Sequence, residues 1–581
     1  MFQSLNPKRK RSNRTGRTMP NTQSETRFTQ QVSDQLKAIV GSEFVCTSSE
    51  DLDRYSRCTI PWQKRCAAVV FPGSGEEVSR VIKLAGEHGL TIWPFSTGKN
   101  WGYGASLATE DGAIVLILER MNRVLEVNEE LAYVVIEPGV SYQQLNAYLR
   151  ETGSRLWADC TDGPPEGSVI GNALERGIGE TPYGDHFGNL CGLEVVLPTG
   201  ELVQIGTSSK SQRTWHTHKW GLGPYIEGLF SQSNLGVVTQ AGLWLMPEPE
   251  EYNSYVFEIR NEADVPAVMD AYRKLALLGV AVSKLHMIND FVTITVLTQR
   301  LHEDVPSKGR LSAADLDGLR HKYRISPWSC GGGLYGTREQ VKVQRKLLRR
   351  ELGPYGRLIF LTDGRLSLLD KLVRLVKKND WMLPFLHGLG KTSLPVLELA
   401  PHAHRILKGI PTEYFVRHAY YRHGASRPDS DVDPAADRCG LIWFAPILPV
   451  IGAEIVRYLA DSRKTFEEYD FDFYVAMLMM NPRSVVCLMA IIYDKESPDE
   501  VERAKGLYAR LVQDMQAVNL QQYRAGLAGW DSVYRGAPEL KSLNGRIKKA
   551  LDPKGVIAPG RYDVGSAMPA SGVEPTDPPG L

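Results

Sequence analysis

Residues 94–104 read PFSTGKNWGYG and follow directly on the apolar run Leu90-Thr91-Ile92-Trp93. A loop with two hydroxyls (Ser96, Thr97) and three glycines (Gly98, Gly102, Gly104) can turn consecutive backbone N–H groups inward and hold a pyrophosphate. Glycine permits the positive φ values and the close approach such a nest requires. The loop is neither a G-x-x-x-x-G-K-[ST] phosphate loop nor a G-x-G-x-x-G in a βαβ unit. On the residues alone, a tight structural turn and an anion cradle are equally good readings.

Working outward, short β-branched runs alternate with glycine-rich turns from about residue 65 to 250. AAVVFPGSGEEVSRVIKLAGEHG predicts strand, turn and amphipathic helix. AIVLIL (113–118), YVVIEPG (133–139) and GNLCGLEVVLPTG (188–200) predict strands that end at turn signals. From about 255 to 510 the pattern changes to helices such as REQVKVQRKLLRRELG and strands such as FVTITVLTQ and SVVCLMAIIYD. That mixture predicts an α+β unit on an antiparallel sheet. Residues 515–563 return to loop-rich text.

Composition bounds the function. The chain has 581 residues, 43% hydrophobic and 23% charged, which fits a globular protein of two or three domains. Lys+Arg number 68 against 67 Asp+Glu, so no bulk positive field points to nucleic acid or an anionic membrane. No apolar leader precedes the first helix, and Leu441–Ile451, interrupted by Pro446 and Pro449, is too short to cross a bilayer. The eight cysteines form no C-x-x-C pair and read as buried thiols, so the expected location is cytoplasmic. Residues 1–27 are a basic leader with six Lys or Arg in the first twenty positions, expected to be disordered, and residues 566–581 a flexible tail.

Two further runs carry candidate chemistry. DCTDGPPEGSVIGN (159–172) puts two carboxylates, Asp159 and Asp162, three residues apart in a loop, with Glu166 nearby. They fit either a proton acceptor beside a cofactor or an Asx-turn leading into a helix cap. GPYIEGLFSQSNLGVV (223–238) again mixes glycines and small hydroxyls before a strand.

Together these stretches resemble the flavoproteins of the vanillyl-alcohol oxidase/p-cresol methylhydroxylase family. The matching runs are STGKNWGYG (96–104), GNALERGIGETPYGDHFGN (171–189), GPYIEGLFSQSNLGVVTQAGLWLMP (223–247) and LDPKGVIAPGR (551–561), in the family's order. The resemblance implies an α+β fold: a split FAD-binding domain of two α+β subdomains, with an inserted cap built on a large antiparallel sheet flanked by helices. The implied boundaries are 28–254 for the FAD-binding part, 255–514 for the cap and 515–565 for a returning C-terminal segment.

The resemblance implies FAD contacts from Pro94, Ser96, Thr97, Gly98, Lys99, Asn100 and Gly102. Further contacts are implied from Gly167, Ser168, Gly171, Asn172, Gly177, Tyr183 and Gly184, then from Gly236, Val237, Val238 and Arg561. It also implies a phenol-binding trio, Tyr103 with Tyr523 and Arg524, and a catalytic Asp162 with Asp159 and Glu166 as local rivals. Two phenol donors and a guanidinium lower the pKa of a bound phenol and stabilise its phenolate. The implied activity is oxidation of a para-substituted phenol at its benzylic carbon through a quinone methide. Its implied electron acceptor is O₂ or a separate cytochrome c subunit, and its implied assembly a homodimer or larger homo-oligomer.

Two departures from the family pattern stand out. In CGLIWFAP (439–446), Leu441 falls at the position where many relatives tether FAD, so the cofactor is expected to be non-covalent. The paired histidine some relatives hold near substrate is replaced by Val486-Cys487. No metal site is expected, because His216-x-His218 brings no third ligand. The rival readings are an FAD oxidase of another alcohol or 2-hydroxy acid, which would need a cationic carboxylate clamp, and a flavin-binding protein without turnover.

Overall fold

The computed structural model describes residues 27–207, 211–280, 283–307, 309–378 and 393–565. The expected tail, and residues 1–26 of the expected leader, lie outside these.

The first sheet has four strands, in the order Val45–Cys46, Ala68–Val70, Ile114–Ile117, Ile92–Phe95. The last three run parallel, and Val45–Cys46 joins antiparallel at the edge. Parallel neighbours need a crossover, and the helix Gly75–His88 supplies it. Ser74 caps that helix by accepting from the Glu77 N–H, and Gly89 ends it in the left-handed conformation. Val78, Val81, Ile82 and Ala85, at helical spacing, bury one face against the strands. The cradle loop leaves the C-terminal end of Ile92–Phe95, so the strand already contains Pro94 and Phe95.

The second sheet is antiparallel, ordered Val124–Asn128, Tyr133–Ile136, Val237–Trp244, Leu190–Val196, Leu202–Ile205. The third is the large one: nine strands between Glu251 and Gln522, every pairing antiparallel. The helices Val265–Leu277, Arg338–Leu352, Gly452–Glu468 and Pro498–Ala517 bury their apolar residues in the same core as that sheet. This is the α+β architecture expected, with the large antiparallel sheet flanked by helices.

After the large sheet the chain returns to the first one. Ile557 pairs in parallel with Ile92, and the Ala558 N–H donates to the Ile92 carbonyl at 2.9 Å. The buried ammonium of Lys548 donates to the Asn234 and Ile557 carbonyls, each at 2.7 Å, and to Asp552 at 2.6 Å. Asn234 in turn donates to Ala558 and Val564. Apolar residues on both sides of the large sheet's sequence, including Val237, Val556 and Ile557, therefore share one core with the first sheet.

Two local expectations fail. FVTITVLTQ is not a strand: Asp290–Leu297 is an α-helix capped by Asn289, which accepts from the Val292 N–H. Burial on all sides overrides the β preference of its Val, Ile and Thr residues. The returning segment is also less loop-like than its text, since Pro538–Leu551 forms a helix of 14 residues.

Candidate active site

The cradle loop has the backbone the glycines allow. Gly98, Gly102 and Gly104 take φ of +69°, +78° and +125°. Among the described residues, the N–H groups of Thr97, Gly98, Lys99 and Asn100 donate to no protein acceptor. Four consecutive free donors on one loop fit a pyrophosphate. The loop lines a cleft with about 1280 Å³ of free space, mouth included. Pro94, Ser96, Thr97, Gly98, Lys99, Asn100 and Tyr103 line it. So do Gly167, Ser168, Gly171, Asn172, Gly236, Val237, Val238, Arg524 and Arg561. Residues from the first sheet, the second sheet and the C-terminal segment thus meet around one space.

Six expected residues lie off that wall. A side chain on Gly102 would come within 2.2 Å of Trp443, and its N–H donates to Thr59 at 2.7 Å; it brings the loop against the large sheet. A Cβ on Gly177 would sit 1.9 Å from the Asn172 amide oxygen, and one on Gly184 would meet the Gly179 carbonyl at 2.4 Å. These two glycines make room for neighbours. Tyr183 belongs to the same turn, where its carbonyl accepts from Asn189 at 2.7 Å. Tyr523 and Asp162 are likewise not among the residues that line the cleft.

Tyr103 and Tyr523 are close enough for each phenol to act on the other. The Arg524 guanidinium stacks over the Tyr103 ring at 4.5 Å, and its Nε has no hydrogen-bond partner. Burial first, then the neighbouring phenol, raises Tyr103 well above its usual value; burial raises Tyr523 against the pull of Arg524. Both phenols are therefore neutral donors at ordinary pH.

Glu175 lies beneath the trio, and the sequence reading missed it. Its carboxylate is paired with Arg561, lies 3.5 Å from Arg524 Nε and accepts from Tyr562 at 2.5 Å. Burial alone would raise it, but Arg561 and Arg524 outweigh burial and hold it below the usual carboxylate range. Arg524 is raised in turn: burial opposes its charge, and Glu175 together with the phenols of Tyr523, Tyr103 and Tyr562 more than offsets that. The trio's cation is thus locked on. Glu175 sits inside GNALERGIGE, but nothing local distinguishes a buried anion there from a surface one.

The carboxylates near residue 160 separate cleanly. Asp159 is buried, bonded to His186 Nε2 at 2.8 Å and accepting from the Thr181 N–H at 3.0 Å. His186 also contacts Asn172 at 2.7 Å and Tyr142 at 3.2 Å, so it braces a cleft-lining side chain. Glu166 is exposed. Asp162 instead acts electrostatically on Tyr523, Tyr474, His418, Glu180 and His286, and its carboxylate lies close to the last two. Trp443 packs against His418 and Tyr474 on one side and Gly102 on the other. Glu180, His286 and His418 come from distant stretches, and no spacing rule in the sequence links them.

His216 and His218 do not act together. His216 is buried on the Cys191 carbonyl, and His218 packs on Trp220. Leu441 is buried and is not on the cleft wall; the Cys439 thiol is raised by burial and so is a poor nucleophile.

Comparisons with known proteins agree with this geometry. An FAD binding domain model matches residues 66–206. A 1'-carboxy-chondrochloren decarboxylase of Chondromyces crocatus is 35% identical over 91% of this chain and 96% of its own. The chain belongs to the vanillyl-alcohol oxidase/p-cresol methylhydroxylase family. The 4-cresol dehydrogenase [hydroxylating] flavoprotein subunit of Pseudomonas putida is 27% identical over 91% of this chain and 94% of its own. A 4-ethylphenol oxidase from Gulosibacter chungangensis, solved with isoeugenol, superposes with a TM-score of 0.82 at 27% identity, covering 94% of this chain and 99% of that one. As a member of this family the chain is an FAD-dependent oxidoreductase. Among the described residues no helix is long and apolar enough to cross a membrane.

Proposed function

We propose that this flavoprotein oxidises para-substituted phenols at the benzylic carbon. The observation that carries the reading is the buried group Tyr103, Tyr523 and Arg524, with its charge fixed by Glu175. Two neutral phenol donors and a cation suit the oxygen of a bound phenolate. A 2-hydroxy acid would call for a cationic clamp on a carboxylate, whereas here the guanidinium lies against a phenol ring.

Arg524 lowers the pKa of the bound phenol, and Tyr103 and Tyr523 hold its oxygen as charge develops. Asp162, beside Tyr523, is the proton acceptor. FAD, when bound by the cradle loop and Arg561, supplies a two-electron hydride acceptor. The substrate loses a benzylic hydride and its phenolic proton and becomes a para-quinone methide. Water then adds at the benzylic carbon, or a neighbouring C–H is lost to give an alkene.

A second reading is favoured by the 35% identical relative, whose name describes a decarboxylase. A substrate such as 3-(4-hydroxyphenyl)propanoate gives the same quinone methide. The C–CO₂⁻ bond then breaks, its electron pair re-forms the phenolate and a vinyl group, and CO₂ leaves. Asp162 and Glu180 would assist by repelling the carboxylate.

Leu441 in place of a tethering residue supports dissociable FAD, so acid-precipitated protein should leave the yellow colour in the supernatant. The return of residues 556–558 to the first sheet supports an FAD domain divided by a cap between about 255 and 514. The acceptor is O₂ or a separate cytochrome subunit, and the assembly a homo-oligomer, by analogy with the family.

The deciding experiment is the anaerobic visible spectrum of the FAD-loaded protein with 4-ethylphenol or 3-(4-hydroxyphenyl)propanoate. Bleaching by 4-ethylphenol supports the leading reading, and 4-vinylphenol with CO₂ from the propanoate supports the second. A bound flavin that neither compound bleaches rejects both.

A further inference from the structure

Asp162, Glu180 and His286 each offer a ligand atom, and the three atoms lie within 4.8 Å of one another. No other such triad of His, Cys, Asp and Glu occurs among the described residues. Glu180 is 3% exposed, and its Oε1 has no hydrogen-bond partner. His286 Nε2 is buried without a partner too, and His286 Nδ1 stands 3.8 Å from Glu180 Oε2, too far to bond. The His286 side chain nonetheless keeps 26% of its surface accessible, so the ring is not packed on every side. A buried carboxylate oxygen and a buried imidazole nitrogen left unpaired cost free energy that a native fold ordinarily avoids.

We propose that Asp162, Glu180 and His286 form a binding site for one first-row divalent cation. Ligand bonds of about 2.0–2.3 Å place donor atoms about 3–4.5 Å apart, close to the spacing found. Two carboxylate oxygens and one imidazole nitrogen suit Mn²⁺, Fe²⁺ or Zn²⁺ better than the all-oxygen preference of Ca²⁺ or the thiolate preference of softer ions. A cation would also relieve the repulsion of Glu180 by Asp162 and Asp159, which with burial raises its carboxyl. Three protein ligands leave coordination positions open. On the reading of the site proposed above, Asp162 serves as proton acceptor when the ion is absent and as a ligand when it is bound.

The test uses the FAD-loaded full chain, stripped with a chelator and titrated with Mn²⁺ while the free-ion electron paramagnetic resonance signal is followed. One ion per chain is expected, displaced by Zn²⁺, with affinity reduced at least about 10-fold in Glu180→Gln and again in His286→Gln. Each variant should keep its flavin spectrum, which reports an intact fold. Absence of binding to the wild type, or equal affinity in wild type and both variants, overturns the site. Flavin bleaching by 4-ethylphenol in the stripped enzyme is scored separately, so loss of the cation site leaves the phenol reading standing, and the converse also holds.

Discussion

At the scale of single residues, the proposed phenol-binding trio has neighbours that are already committed. Arg524 cannot be neutralised while Glu175 sits 3.5 Å away, and Tyr103 and Tyr523 are held neutral by burial. Tyr523→Phe should slow flavin reduction by 4-ethylphenol about 10²-fold in stopped-flow traces while FAD stays bound, as for loss of one oxyanion donor; an unchanged rate would remove Tyr523 from the chemistry. Glu175→Gln acts differently, leaving two buried guanidinium groups short of an anion. It should cost about 3 kcal/mol in urea unfolding, the scale for a broken buried pair, and loosen FAD. Tyr103, Tyr523 and Arg524 were legible in the sequence because short motifs surround them, GYG and YRAG. Glu175, Glu180, His286 and His418 were not, because the fold and not a local motif gives each its neighbours: Glu175 meets Arg524 and Arg561, and Glu180 meets His286.

At the scale of elements, the readable parts were those where periodicity and punctuation agree. Gly75–His88 has a capping serine, a 3.6-residue apolar stripe and a terminal glycine, and it appears as expected. Asp290–Leu297 has β-branched residues but is buried on all sides, so neither alternation nor a stripe exists to be read. What makes it a helix is Asn289, which caps it and also donates to the Phe473 carbonyl at 2.7 Å. Asn289→Ala should therefore destabilise the protein by about 2 kcal/mol, the upper end for a lost N-cap, whereas Asn289→Asp should recover part of that by restoring the cap. Chemical denaturation of the pair checks this, and equal losses would deny the cap its role. The glycines divide along the same line. Gly98 lines the cleft, whereas Gly102, Gly177 and Gly184 keep space for Trp443, Asn172 and a carbonyl.

At the scale of the whole molecule, several histidines are buried without charge. Burial, then Arg405 and Arg417, lowers His402 to about 4, and burial lowers His216 and His404 as well. The unfolded chain, with histidines near 6.5, binds more protons between those values. Stability is therefore full above about pH 6.5 and lost as pH falls toward 4. Melting temperatures taken across that range should fall steadily, and His402→Gln should flatten the slope; a flat wild-type profile would contradict this. The general layout was legible because four motifs keep their order along 581 residues. The return of the chain to its own beginning has a consequence in time. Ile557 completes the sheet that starts at Val45, and Arg561 and Tyr562 complete the anchor on Glu175. A ribosome that has delivered everything up to the large sheet has not yet made the last wall of the cleft. The cleft is therefore complete only when synthesis is nearly finished.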